Sequence, residues 1–491
     1  DRVLVLDLAT RRVVKSIKVA ASPTGLALSS DGRRLFVTCA GPESQVCVVD
    51  IARSRVVKKL PVGHTAMAPV LSPDGKTLFV CNRFNDDVTV FDLTAKKETR
   101  RIPVRREPVA AAITPDGKRL LVANLLHTGR ADADHVGAVV SVIDTALGQV
   151  VDDLWLPNGS GSLNDIRVSP DGKYAVVTHI LSRFHLPTTQ LDRGWMNTNA
   201  KTIIDLARMQ VLNTVLLDTI DRGAANPWGV AWSADSKTLV VAIAGTHEVS
   251  VTDFPALLAK LAKLSPGSFV PISAALPYSG VASRAPSDVP NDLSFLVGVR
   301  ERRRLPEGDL GPRAVVVVGR RAYTANYFSD TLTAVDLDGE HPKIESIPLG
   351  PTPQMTVERQ GELNFHDARL CFQGWQSCAT CHPGDARVDA LNWDLLNDGI
   401  GNPKNNKSMH DAVDTPPAMW SGVREDMAEA VAAGQRFAGF FPDPEKNRAL
   451  LEYISTPERV RSPYRDGDPP AVRRGARLFL RARCDACHPA P

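Results

Sequence analysis

The 491-residue sequence lacks several features, and each absence excludes a class of protein. No stretch approaches the roughly 18 consecutive apolar residues that a transmembrane helix needs, so no membrane span is predicted. The net charge is only +3 and the longest basic run is RERRR at 300–304, so nothing points to a nucleic-acid partner. The 43% hydrophobic and 23% charged content is that of an ordinary globular protein, and the length predicts two or three domains.

Cysteine is also scarce, and four of the eight cysteines stand in two Cys-x-x-Cys-His motifs. These are SCATCH, with Cys378, Cys381 and His382, and RCDACH, with Cys484, Cys487 and His488. Two thiols on one helical turn can add to the vinyl groups of a porphyrin, and the adjacent histidine can bind its iron. The sequence therefore predicts two covalently bound haem c groups, with His382 and His488 as iron ligands. Zinc is the alternative, but paired zinc knuckles lie about 15–20 residues apart, whereas these motifs lie 106 residues apart.

Two of the remaining cysteines, Cys39 and Cys47, flank a predicted hairpin loop. They could form a disulfide in an oxidising compartment, or they could be buried, unreactive thiols. Cys81 and Cys371 have no partner that the sequence identifies.

The first 350 residues repeat one pattern, an apolar strand, an Asp-Gly or Asp-Ser turn, and a second strand. The clearest copies are LALSSDGRRLFVTC, PVLSPDGKTLFVCN, AAITPDGKRLLVAN, IRVSPDGKYAVVTH and VAWSADSKTLVVAI. A period near 42 residues with four strands per repeat predicts a β-propeller, here with seven blades. The first blade begins with its third and fourth strands, in RVLVLDLATRRVVKSIKV. We expect its inner strands from residues upstream of Asp1 or from a late strand near PQMTVE.

Three long insertions interrupt the repeats, and loops of this length are usually functional. Two follow the second strand of a blade, after Asn124 and after His179, and are predicted to lie on one face of the propeller. The third, 255–312, is predicted to replace a fourth strand with short helices. Five histidines fall near these connections and are interpreted as solvated, with a metal cluster as the alternative: His127, His135, His179, His185 and His247.

The repeats resemble the YVTN family of extracytoplasmic propellers. The segment that begins CFQGWQSCATCHPGDARVDALNWDLLNDG is similar to propeller–cytochrome fusions of the di-haem cytochrome c peroxidase and MauG-like group, and the segments at 415–417 and 420–422 match its Thr-Pro and aromatic-x-Gly signatures. The resemblance implies an all-β seven-bladed propeller (1–354) followed by mainly α-helical c-type cytochrome domains. The first cytochrome domain is placed at 355–456, a proline-rich linker at 457–469, and the start of a second cytochrome domain at 470–491, with its remainder expected beyond Pro491.

The sixth iron ligand decides between electron transfer and peroxide chemistry, because a thioether closes the site. Met409 is the preferred ligand and Met419 the second choice, with Met427 and His410 also in range. The resemblance also implies a tryptophan between two haems; Trp393 is favoured over Trp375 and Trp420. A distal acid–base pair could come from Glu425 and Glu429, which a charged helix face explains equally well.

We therefore expect a periplasmic di-haem cytochrome that passes single electrons to a redox partner protein, with the propeller as a docking or recognition platform. A peroxidase of the resembling group and a non-catalytic haem-bearing scaffold subunit of a larger assembly are the alternatives. Because c-type haem is attached outside the cytoplasm, a removed signal peptide is expected ahead of Asp1.

Overall fold

The computed structural model describes residues 1–186, 196–264, 283–339, 341–352, 354–394, 401–456, 460–464 and 468–486. Up to Pro348 its regular structure is almost entirely antiparallel β-sheet, and from Val357 onward it is mainly helical. Among the described residues, six sheets have four strands each, in chain order, and two sheets have two strands each.

Each of the six complete blades consists of four antiparallel strands joined by hairpins, with the first strand at the inside of the ring and the fourth at its rim. They are β3 (Pro23–Leu28), β4 (Arg34–Cys39), β5 (Gln45–Asp50) and β6 (Arg55–Pro61); β7 (Ala66–Leu71), β8 (Thr77–Asn82), β9 (Asp87–Asp92) and β10 (Lys97–Pro103); β11 (Pro108–Ile113), β12 (Arg119–Asn124), β13 (Val139–Asp144) and β14 (Gln149–Trp155); β15 (Ser160–Val168), β16 (Tyr174–Ser182), β17 (Asn197–Asp205) and β18 (Gln210–Leu216); β19 (Pro227–Trp232), β20 (Thr238–Ile243), β21 (Glu248–Asp253) and β22 (Arg300–Arg304); β23 (Pro312–Val318), β24 (Arg321–Asn326), β25 (Thr331–Asp336) and β26 (Ile344–Pro348).

The repeated Asp-Gly turn joins the first two strands of a blade, as predicted. In the first copy the Ser29 hydroxyl donates to Asp31 at 2.6 Å and accepts from the backbone N–H of Arg34 at 2.9 Å. Gly32 follows with φ of 67°, a left-handed conformation that glycine adopts without a steric penalty. The same serine or threonine, aspartate and positive-φ residue recur in four further blades, so the turn chemistry sets the register of these five blades.

The first strand of each blade lies against the first strand of the next, from β3 around to β23. The predicted seventh blade is present only as the two-stranded sheet of β1 (Arg2–Asp7) and β2 (Arg12–Lys18). Its Val3 and Ile17 pack against the β3–β6 blade, while Arg11 pairs with Glu345 on β26 at 2.9 Å. The sheet therefore lies between the first and the last complete blades, and the described residues near 350 add no strand to it.

The prediction for the third insertion was wrong in one respect. The insertion does contribute helix α1 (Phe254–Ala262) and a 3-10 turn (Pro286–Asn291), but the fourth strand is retained as β22. This strand is the charged segment RERRR, which lacks the apolar alternation of a sheet strand. It pairs with β21 because Arg302 forms a buried ion pair with Glu248, whose side chain is only 1% exposed.

The C-terminal part is formed by α2 (Val357–His366), the short turns α3 (Cys378–Cys381) and α4 (Pro383–Ala386), α5 (Met427–Phe437), α6 (Pro444–Ser455) and α7 (Pro469–Arg481), with the two-residue strands β27 (Asn392–Trp393) and β28 (Lys404–Asn405). Helices α2 and α6 cross in direct contact: a Cβ atom at Gly361 would lie 1.9 Å from the Ala449 carbonyl oxygen. One turn away, Phe365 packs on Tyr453 with ring centroids 5.2 Å apart. The crossing forms the core of this domain.

None of the side chains of helix α7 is buried. Cys484 lies in the 3-10 turn that follows this helix. Asp468 caps its first turn by accepting from the N–H of Ala471 at 2.8 Å. None of the helices in the described ranges is both long and apolar enough to cross a membrane.

Candidate functional site

The first Cys-x-x-Cys-His motif folds into the single turn α3, closed by the N–H of His382 donating to the Cys378 carbonyl at 2.9 Å. Cys378 and Cys381, three residues apart on one turn, share a face of it. Burial raises the pKa of Cys378 to about 12 and also raises that of Cys381, so both thiols are neutral at physiological pH.

The imidazole of His382 is oriented by the backbone that follows it. Nδ1 lies 3.1 Å from the carbonyl oxygen of Arg387, within hydrogen-bonding distance. When Nδ1 carries the proton and donates to this carbonyl, Nε2 presents its lone pair for a ligand. Burial lowers the pKa of His382 to about 4, so the ring is neutral, the form that binds metals.

A cavity of about 310 Å³ brings the predicted ligands together. Its lining includes both thiols, the imidazole, four thioethers and two indoles: Cys378, Cys381, His382, Met196, Met409, Met419, Met427, Trp393 and Trp420. Apart from Met196, these side chains were all named from the sequence as ligands or neighbours of the first haem. Those within the C-terminal domain come from segments up to 49 residues apart, so their convergence is a property of the fold.

All three predicted thioethers line the cavity, but they are held differently. The backbone N–H of Met409 donates to the Ala386 carbonyl at 2.9 Å, which ties it to the segment after His382. Met419 has φ of 71° in the loop before α5, and Met427 is a buried core residue at the start of α5. His410 also lines the cavity, but its Nε2 lies 2.6 Å from the Asp385 carbonyl oxygen.

Trp393 is buried beside the motif, and its indole N–H donates to Asp389 at 2.8 Å. Burial raises the pKa of Asp389 to about 7. Trp420 lies at the cavity mouth with 56% of its surface exposed. Trp375 does not line the cavity; it is fully buried against Cys371 and Phe440.

The propeller forms one wall of the site. Asn197, at the start of β17, donates to the Gln376 side chain at 2.8 Å and contacts Cys381 Sγ at 3.3 Å. Asn226 donates to the Ser377 hydroxyl at 2.7 Å and accepts from Thr380 at 2.8 Å. The motif is therefore held by buried amide side chains of two neighbouring blades.

Both second-to-third-strand insertions contact this domain, as expected for loops on one face. Val136 from the first insertion and Met196 from the second pack with Leu391 and Trp393. Leu186, at the end of the described part of the second insertion, packs near Trp375.

The interpretation of the propeller histidines as solvated was wrong for three of them. His127 is 3% exposed and hydrogen-bonds the Ala390 carbonyl at 2.8 Å; His247 is 3.4 Å from Asp367. His179 is fully buried, its Nε2 2.8 Å from the Thr202 hydroxyl, and burial lowers its pKa to about 4. Two of these three therefore belong to the interface with the C-terminal domain.

The two carboxylates suggested for acid–base chemistry do not reach the cavity. Glu425 and Glu429 are exposed, and Glu429 accepts from the backbone N–H of Glu425 at 2.7 Å at the start of α5. Among the described residues that line the cavity there is no aspartate or glutamate.

The second motif is only partly described. Cys484 lies in a 3-10 turn after α7, whereas Cys487 and His488 fall outside the described residues. Across the described ranges, no group of three or more histidine, cysteine, aspartate or glutamate side chains could hold a metal ion by itself. Cys39 and Cys47 are free, buried thiols whose sulfur atoms lie 3.9 Å apart.

Sequence reasoning missed the propeller residues of the site and Asp389. The insertion after His179, which ends in WMNTNA, was predicted to be functional, but its sequence did not distinguish Met196 or Asn197 as site residues. Asp389 lies four residues before Trp393, and nothing in this spacing predicts the hydrogen bond between the two side chains.

A family model described as "Lactonase, 7-bladed beta-propeller" matches residues 58–128. The chain is 30% identical over 207 residues to hydrazine synthase subunit beta of Kuenenia stuttgartiensis, an alignment that covers 41% of this chain and 48% of that protein. It is 31% identical over 148 residues to hydrazine synthase subunit gamma of the same organism, covering 27% of this chain and 42% of that protein. The chain therefore spans less than half the length of each of these relatives.

A solved structure of Kuenenia stuttgartiensis hydrazine synthase superposes with a TM-score of 0.59 at 28% identity. The superposition covers 68% of this chain and 89% of that one. The fold is thus a β-propeller similar to subunits of hydrazine synthase.

Proposed function

We propose that this protein is a haem-bearing β-propeller subunit of a larger assembly related to hydrazine synthase. Cys378 and Cys381 would hold one haem c covalently, and His382 would bind its iron. A second haem c would be held by Cys484, Cys487 and His488. Within the assembly these groups would pass single electrons, and the propeller would be the platform on which they and the other subunits are held.

One observation carries this proposal: the thiols, the imidazole and several thioethers converge on one largely apolar cavity. The chemistry of this donor set fits haem c, since the thiols are neutral and share a face, and Nδ1 of His382 has a carbonyl acceptor. The bound iron would supply a one-electron redox centre. Met409 would supply a thioether ligand to the iron, Trp393 would contact the bound group, and the surrounding wall would keep water from the site.

The residues around the cavity favour a carrier or scaffold over a peroxidase of the MauG-like group. Cleavage of peroxide needs a group that moves a proton at the open side of the iron. The described cavity lining offers no carboxylate, and its other imidazole besides His382, that of His410, hydrogen-bonds the Asp385 carbonyl. It offers thioethers instead, which occupy a coordination site.

The larger assembly is supported by the two curated relatives, which are different subunits of one enzyme. A chain that resembles both is expected to occupy a place in a similar complex. Haem c attachment would locate that complex outside the cytoplasm, in the periplasm or an equivalent compartment.

The experiment is to isolate the tagged chain from its native host under mild conditions and to measure the mass and composition of what copurifies. We expect a stable complex with further subunits in fixed proportion and absorption typical of haem c. A variant with both Cys378→Ala and Cys381→Ala separates the two parts of the proposal, since it should lose one haem while retaining its partners. A chain that is isolated alone, at monomer mass, would contradict the assembly.

The peroxidase alternative is tested on the same sample by peroxide consumption after one-electron reduction. We expect turnover no faster than that of free haem. Faster turnover would favour the peroxidase.

A further inference from the structure

Side chains from two neighbouring blades lie under the segment that follows His382. Arg83 comes directly after β8, and Glu107 comes directly before β11. Arg83 Nε donates to Glu107 Oε2 at 2.9 Å, and the two side chains are only 9% and 6% exposed. A buried carboxylate held in this way is fixed in position.

The same carboxylate reaches the C-terminal domain. Glu107 Oε1 lies 3.5 Å from Nη2 of Arg387. The ring of Phe84 lies under both guanidinium groups, with its centroid 4.6 Å from Cζ of Arg387 and 4.9 Å from Cζ of Arg83. Arg387 is therefore anchored by a carboxylate and by an aromatic face, and the propeller supplies both.

Arg387 is also the residue whose carbonyl oxygen lies 3.1 Å from Nδ1 of His382. The backbone between the two residues is in an unusual conformation: Asp385 and Ala386 have φ of 67° and 62°. Non-glycine residues remain in this left-handed region only where the surrounding structure holds them there. The anchor on the Arg387 side chain is one of the contacts that can do so.

We propose that Glu107 is a positioning residue for His382, acting through Arg387. By holding the Arg387 side chain, Glu107 and Phe84 fix the carbonyl that accepts the hydrogen bond from Nδ1–H. A well-aligned carbonyl makes an axial imidazole more electron-rich and so stabilises oxidised iron. The propeller would in this way set the redox potential of a haem that another domain carries, an inference that rests on the proposed function.

The test is a spectroelectrochemical titration of the full-length holoprotein and of a Glu107→Gln variant. The redox transition that belongs to the first haem is the one that disappears when Cys378 and Cys381 are both changed to alanine. We expect the variant to retain its haem, with a midpoint potential shifted to more positive values and altered g values of the ferric iron. Phe84→Leu, which removes only the aromatic face, should shift the potential in the same direction.

Glu345→Gln is the matched control, because Glu345 also pairs with arginine and lysine but lies on β26. It should leave the potential and the g values unchanged. If Glu107→Gln does not fold, Phe84→Leu decides. Unchanged potentials in the folded variants would overturn the inference and leave Glu107 as a structural residue. A wild-type protein without covalent haem would instead overturn the proposed function, and its mass spectrum shows this before any variant is made.

Discussion

Lys201 on β17 is a fully buried lysine between two blades. Its Nζ donates to the Thr252 hydroxyl at 2.8 Å, and no carboxylate of the described residues lies within ion-pair distance. Burial disfavours the charged amine and lowers its pKa from 10.5 to about 7, with the nearby Arg300 adding to the shift. The folded protein therefore binds this proton less tightly than the unfolded chain.

The shift predicts a pH dependence of the free energy of unfolding. Between about pH 7 and 10.5 the unfolded chain holds a proton that the folded protein has lost, so stability rises with pH by up to about 1.4 kcal/mol per pH unit. Lys201→Met should unfold at higher denaturant concentration at pH 7 and should lack this rise. Lys173→Met, at an exposed site, is the control. Equal pH slopes in wild type and Lys201→Met would contradict the assignment.

Met409 is the preferred thioether ligand of the first haem, and its role can be tested by spectroscopy. If its thioether closes the first haem, the ferric protein should show the weak near-infrared band of methionine ligation, and Met409→Leu should abolish it. Met427→Leu, in the core at the start of α5, should retain the band. Loss of the band only in Met419→Leu would assign the ligand to Met419.

At the scale of elements, the loop after β18 and the segment before α3 meet backbone to backbone. The Gly223 N–H donates to the Gln373 carbonyl at 2.9 Å. A Cβ atom at Gly223 would lie 2.3 Å from Cα of Trp375 and 2.5 Å from the Gly374 carbonyl oxygen. The close approach therefore requires glycine in this loop.

Gly223→Ala should separate the propeller from the motif segment. The clash is with backbone atoms, which cannot rotate away as a side chain can. We therefore expect the free energy of unfolding to fall by roughly 1–3 kcal/mol. Hydrogen exchange of the amides at 373–381 should accelerate. Gly161→Ala is the control, because a Cβ atom there meets nothing within 4 Å. Unchanged exchange at 373–381 in Gly223→Ala would show that the contact is not required.

The blades could be predicted because the residues that define each hairpin lie close together in the chain. The Ser-x-Asp-Gly turn fixes a hairpin within six residues, and the alternation around it places apolar side chains in the core. Strand β22 was missed because Arg302 and Arg304 pair with Glu248, which lies 54 residues before Arg302, so ion pairs take the place of the apolar pattern of a strand. His127 was misread for the same reason, since its partner Ala390 lies 263 residues away.

At the scale of the whole molecule, the propeller face completes the cavity of the C-terminal domain. Met196 lines the cavity, and Asn197 and Asn226 hold the motif in place. The residue types and spacing of the motif could be recognised in the sequence. The propeller residues that contact the motif were not predictable, because they are distant in the chain: Asn197 lies 184 residues before Cys381.

The haem proposed at Cys378 and Cys381 can be detected by expressing the full-length chain with the cytochrome c maturation system and analysing the peptide that contains residues 378–382 by mass spectrometry. We expect this peptide to carry one haem through both thiols, retained under denaturation, while Cys39, Cys47, Cys81 and Cys371 can be alkylated. Recovery of the peptide without haem and with Cys378 and Cys381 both alkylated would show that this site does not bind haem covalently.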